Sequence, residues 1–174
     1  MSASSAGFSE NVKRAKKGDA DAFAKLYATV YKDLYRIALC NLRNEHDAAD
    51  AVSEAVLDAF ASIKKLKDEK AFKSWMIKIL TAKIKIKQKG YYTDNSTVDI
   101  SDVEQEITDN SFDGLEITEA FNRLDESERL VLSLSIVGGY SSDEIAKLCD
   151  TKAATVRSKL SRARLKLKDR LSSE

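Results

Sequence analysis

Within the stretch TVRSKLSRARLKLKDRL, Arg157, Ser158, Lys159, Ser161 and Arg162 fall inside two helical turns. These side chains are donors of the kind that meet phosphate oxygens and base edges, the guanidinium as a flat fork and the ammonium as a point charge. A second basic set, Lys78, Lys83, Lys85 and Lys87, runs through KILTAKIKIKQK, where lysine alternates with isoleucine toward the end of a helix whose dipole favours cations. Opposite in sign, Asp47, Asp50 and Glu54 recur at spacings of three and four, which puts them on one helix face as a stripe for a basic partner or for solvent. All three sets point to ionic and hydrogen-bonded recognition. Catalysis lacks its usual tools: no glycine-rich phosphate loop, nucleophile–base pair or metal-ligand cluster stands in the sequence. His46, one turn before Asp50, is the single histidine and reads as a surface residue, so neither a metal nor a cofactor is expected.

The elements that must position these groups are helices. A chain of 174 residues with 43% apolar content can build one ordinary domain or two small ones. It has no proline and six glycines, so the turn punctuation of sheet-rich chains is missing and an all-α fold is expected. The net charge of +1 conceals segregation of sign along the chain. Cys40 and Cys149 sit apart in apolar helical patterns, which fits reduced, buried thiols. The opening MSASSAGFSE has neither a basic nor an apolar leader region, and its first few residues read as a disordered tail or a cloning scar. No run of 18 apolar residues exists to span a bilayer, and a cytoplasmic location is expected.

Apolar residues recur at helical spacing from Ser9 to Lys89. Phe23, Leu26, Tyr27, Val30, Tyr31, Leu34, Ile37 and Ala38 form one stripe, and Val52, Val56, Leu57, Phe60 and Ile63 form the buried side of the next helix, capped by Asn44 or Asp47. Lys64 to Ala71 read as a polar connection. A third helix directs Phe72, Trp75, Met76, Ile79 and Leu80 inward and is expected to end at Gly90. Residues 90–114 then hold seven Asp or Glu and no Lys or Arg, the composition of an acidic flexible linker able to occupy the flanking basic surfaces. Helices resume at LEITEAFNRL, and Asp125 with Glu128 spells a capping box. Gly138 and Gly139 close that helix, and Ser141 or Ser142 can cap the next.

In DEIAKLCDTKAATVRSKLSR two short helices meet across a tight turn, with Ile145, Ala146 and Leu148 facing Val156 and Leu160. That is helix-turn-helix spacing, and it places the basic set on the outer face of the second helix. Asp150 occupies the turn position that favours a left-handed conformation, which aspartate tolerates.

With FAKLYATVYKDLYRIALCNLRNEHDAADAVSEAVLDAF and FKSWMIKIL in its first half, and LDESERLVLSLSIVGGYSSDEIAKLCDTKAATVRSKLSRARLKL in its second, the chain resembles the extracytoplasmic-function sigma factors of bacterial RNA polymerase. The resemblance implies two small helical domains, region 2 over 1–90 and region 4 over 115–174, joined by the acidic linker over 91–114. It implies no enzymatic activity and no cofactor, with core RNA polymerase, promoter DNA and an anti-sigma factor as partners. Asp47, Asp50, Ser53 and Glu54 then fall on the polymerase-docking face, Ser53 replacing the family's glutamine. Lys78, Lys83, Lys85 and Lys87 fall on the helix that holds the minus-ten strand, where Ala82 replaces a common asparagine. Thr155, Arg157, Ser158, Lys159, Ser161, Arg162 and Arg164 fall on the helix that reads the minus-thirty-five element. A stand-alone helix-turn-helix regulator and a sigma-like interaction protein with decayed DNA contacts are the competing readings.

Overall fold

The computed structural model describes residues 2–94 and 121–172, and the described residues are helical with no strand. Helix α1 spans Ser2–Lys16, α2 Ala20–Leu42, α3 Glu45–Ser62, α4 Phe72–Asp94, α5 Glu126–Ile136, α6 Ser142–Leu148 and α7 Ala153–Leu171. Helices α2, α3, α5 and α6 start where a short polar side chain takes up orphaned backbone donors, whereas α7 follows Lys152 with no side-chain cap. Asp19 accepts from Ala22 N at 3.1 Å, and Asn44, in preference to Asp47, accepts from Asp47 N at 2.9 Å. Asp125 with Glu128 and Ser141 with Glu144 both close reciprocal capping boxes, each worth ~1 kcal/mol. Helix α2 ends in the left-handed Arg43 (φ 54°), and Gly139 (φ 70°) opens the turn after α5. A side chain at Gly138 would meet the Leu134 carbonyl at 2.7 Å, which explains the paired glycines.

Helices α1 to α4 pack as one bundle, α5 to α7 as a second, smaller one. Leu26, Leu34, Ile37, Met76, Ile77, Leu80 and Ile84 are buried in the first; Leu132, Leu134, Ile145, Val156 and Leu160 in the second. The bundles also pack on each other, α2 against α5 and α4 against α6. The contact is partly polar: Asn41 Nδ2, buried on α2, donates to Ile37 O at 2.7 Å and to Ser133 Oγ of α5 at 3.0 Å. Asn41 Oδ1 and, on α4, Gln88 Nε2 are buried without a hydrogen-bond partner among the described residues.

Three expectations need correction. Tyr31 and Leu57 lie exposed, at the outer edges of stripes otherwise buried or partly buried. Tyr31 stands between Tyr27 and Tyr35, with ring centroids at 5.5 and 6.2 Å. Helix α4 runs through Gly90 to Asp94, since glycine weakens a helix without ending it where neighbours hold the next turn. Helix α1 begins at Ser2 and seats Val12 and Ala15 further along in the core, so the first few residues are helical rather than a disordered tail. The Lys64–Ala71 connection contains two 3₁₀ turns, Ile63–Lys65 and Glu69–Ala71. Trp75 packs partly buried against Phe72, with centroids 6.1 Å apart. Most of the acidic segment, and residues 115–120 of the helix expected over LEITEAFNRL, lie outside the described residues.

Candidate nucleic-acid interface

The second bundle presents its basic helix as the sequence pattern requires. Ile145, Ala146 and Leu148 of α6 are buried with Val156, Leu160 and Ala163 of α7, which turns the polar side of α7 outward. Arg157, Ser158, Ser161, Arg162 and Arg164 are exposed; Thr155 and Lys159 are half-buried. The turn survives without glycine because Asp150 adopts φ 50°, while Thr151 N donates to Ala146 O at 2.9 Å and closes the α6 end. Arg157 is steadied by Asp143 at 3.9 Å. The inner end of α7 is clasped to α5: Lys166 Nζ lies 3.0 and 2.8 Å from the two oxygens of Glu128, a carboxylate otherwise buried. One contiguous exposed face with four cationic or hydroxyl donors in two turns can meet a groove of duplex DNA.

On the first bundle the four predicted lysines separate into two pairs. Lys78 and Lys85 are exposed, and Lys89, which the sequence reading left out, is exposed on their side of α4. Lys83 and Lys87 turn the other way, toward the acids of α3. Lys83 Nζ is 2.6 Å from Asp58, and Lys87 Nζ pairs with Asp50 and lies 3.3 Å from Glu54. One turn further, the Tyr91 hydroxyl donates to Asp47. The hydrogen bond from Lys87 holds the Asp50 carboxyl below its usual range, and that to Asp58 raises the Lys83 ammonium above its own. Burial alone would pull Lys87 down, but its bonds to Asp50 and Glu54 leave it raised. Burial and then the bond to Asp47 push the Tyr91 phenol up. Ser53 is exposed beside this stripe, and exposed Leu57 adds an apolar centre that helical periodicity had assigned to the core. His46 is exposed, and among the described residues no group of three or more His, Cys, Asp or Glu is arranged to hold a metal.

The outward lysines of α4 face the helix-turn-helix. Lys78 Nζ is 3.7 Å from Asp150, and a cleft of about 390 Å³ between the bundles is lined by Lys85, Gln88, Leu130, Cys149, Asp150 and Lys159. Cys149 is half-buried there and its thiol pKa is raised by that burial; the Cys40 thiol, buried in the first core, is pushed up to about 11. Both cysteines are free. No helix among the described residues is long and apolar enough to cross a membrane.

A helical bundle with an acidic and a basic face, followed by a helix-turn-helix, defines a class. The family models of sigma-70 region 2 and sigma-70 region 4 match residues 26–87 and 114–167, and the chain belongs to the sigma-70 family, the promoter-recognition subunits of RNA polymerase. Within that family its relatives are extracytoplasmic-function sigma factors. It is 27% identical to ECF RNA polymerase sigma factor SigW of Bacillus subtilis, covering 93% of this chain and 95% of that protein. It is 29% identical to the ECF RNA polymerase sigma-E factor of Escherichia coli, covering 88% of each. In fold it is similar to the sigma factor RpoE solved with the anti-sigma factor NepR from Bartonella quintana, at a TM-score of 0.70 and 23% identity over 86% of this chain and 96% of that one. It is also similar to CnrH solved with the cytosolic domain of CnrY, at a TM-score of 0.69 and 20% identity over 97% and 99%.

Proposed function

We propose that this sigma factor directs core polymerase to its promoters through three surfaces of distinct chemistry. The acids of α3, with Ser53 and Leu57 among them, dock on a basic surface of the polymerase. The exposed Lys78 and Lys85 side of α4 tracks the unpaired minus-ten strand, and α7 reads the minus-thirty-five element through Thr155, Arg157, Ser158, Lys159, Ser161, Arg162 and Arg164. The observation that carries this reading is the order of matched regions, 2 then 4, with the outer face of α7 open to solvent. A stand-alone regulator has no use for an acidic stripe and a lysine-bearing helix in the same chain. The protein catalyses no reaction itself and acts in the cytoplasm, where an anti-sigma factor restrains it, as the complexes of RpoE and CnrH illustrate.

The closed arrangement adds a step. With Lys78 only 3.7 Å from Asp150, the two DNA-reading surfaces adjoin, whereas promoter elements lie more than one helical turn, ~34 Å, apart on the duplex. The bundles must therefore part before both elements are held. Run-off transcription with core polymerase on genomic fragments tests the whole reading: specific products above the core-only control are expected, and lost with Asp50→Arg. A product pattern equal to that of core alone refutes it.

A further inference from the structure

Four carboxylates, Asp47, Asp50, Glu54 and Asp58, run along α3 at spacings of three, four and four. Like charges so placed on one helix repel each other and leave their side chains without a fixed position. Opposite them, Lys83, Lys87 and Tyr91 run along α4 at spacings of four, and the two rows meet in antiparallel order: Tyr91 with Asp47, Lys87 with Asp50 and Glu54, Lys83 with Asp58. The exposure of the two rows differs. The Lys87 and Lys83 side chains are 17% and 20% exposed, whereas Asp50, Glu54 and Asp58 are 50%, 44% and 56% exposed. The lysine side chains are thus more covered than the carboxylates they pair with, and the acidic row is the more exposed of the two. A DNA phosphate could reach these lysines only by displacing carboxylates that already hold them, while Lys78 and Lys85 stand free of that row on the far side of α4.

We propose that Lys83, Lys87 and Tyr91 are positioning residues of the polymerase-facing surface and make no contact with DNA: they hold the α3 carboxylates in a fixed row with the acidic side presented to a basic partner. Fixing the row before docking removes side-chain entropy that binding would otherwise have to overcome, and pairing it with the α4 cations relieves the repulsion along α3. The inference rests on the reading of α3 as the docking face.

Two measurements on the full chain separate the roles: competition for core polymerase, and the salt dependence of promoter binding by holoenzyme assembled at saturating chain. Lys87→Met and Lys83→Met are expected to weaken core association by about tenfold, Tyr91→Phe by less, with the slope of log K against log salt unchanged. Lys87→Arg restores core association. Lys78→Met and Lys85→Met do the reverse, keeping core affinity and reducing the slope by about one unit each. Circular dichroism melts confirm that each variant is folded, and Tyr91→Phe, which removes one hydroxyl, carries the test should a lysine variant unfold. Parent core affinity in folded Lys83→Met and Lys87→Met, or a reduced salt slope in either, overturns the proposal. Failure of the parent chain itself to bind core overturns instead the docking reading beneath it.

Discussion

The contact between the bundles depends on Asn41 and Ser133, and the sign of its response to mutation differs between one substitution and two. Asn41 is buried, its Nδ2 shared between Ile37 O and Ser133 Oγ, its Oδ1 without a hydrogen bond among the described residues. A buried polar atom left unsatisfied costs ~1–3 kcal/mol, a cost that vanishes when the bundles part and water reaches the amide. Ser133→Ala alone removes one acceptor from Nδ2 and leaves the amide buried, so it favours opening by ~1 kcal/mol. Asn41→Leu together with Ser133→Ala replaces both polar groups by apolar ones, and favours closure by ~1–3 kcal/mol, or about 5–150-fold in population. Single-molecule energy transfer between dyes on α1 and at the end of α7 reads the open fraction directly. The double variant is expected to lower it and to lower run-off yield at limiting core, with core affinity through α3 retained; the single variant raises the open fraction. If both variants shift the population in the same direction, the polar contact is not what sets the closure.

Other outcomes follow from the same geometry. Arg162→Ala weakens binding to promoters carrying an intact minus-thirty-five element by ~1–3 kcal/mol, and an equal loss on promoters with that element scrambled would restrict Arg162 to phosphate contact. Lys166→Met destabilises the second bundle more than Glu128→Gln does, by ~3 against ~1 kcal/mol in urea unfolding, because the first leaves a buried carboxylate without its cation and the second keeps a neutral hydrogen-bonding group. Because burial raises the Cys149 thiol, its thiolate is scarce at neutral pH and alkylation accelerates only as pH rises through that elevated value; Ser133→Ala, by opening the cleft, brings the rate toward that of a free thiol, while Cys40 stays protected. Replacing Asp94, Asp99, Asp102, Glu104, Glu106 and Asp109 by Asn or Gln tightens polymerase-independent DNA binding, most at low salt, and weakens assembly on core polymerase, because the acidic segment competes for the lysines and arginines; parent affinities across a salt titration would make it spacer only.

Features confined to a few neighbouring residues could be read before any fold was known. The capping boxes at Asp125 and Ser141 join residues three apart, the buried α6 and α7 faces follow from periodicity, and the left-handed Asp150 follows from the need for a tight turn between them. The resemblance to sigma factors rested on such local strings, and so did the location of the basic face on α7. What a side chain on a helix flank meets is set instead by the neighbouring helix. Spacing placed Lys83 and Lys87 with Lys78 and Lys85 in one basic helix, but the packing of α3 against α4 turned the first pair toward Asp50, Glu54 and Asp58. The same packing left Leu57 in solvent, because a stripe edge is buried only if something lies over it. It also carried α4 past Gly90, since the Tyr91 bond to Asp47 joins residues 44 positions apart and holds the turn beyond the glycine. Asn41 and Ser133 are separated by 92 positions, and neither residue type signals an interface. The docking of the two bundles exists only in three dimensions, where each buried polar atom must find its partner or go without.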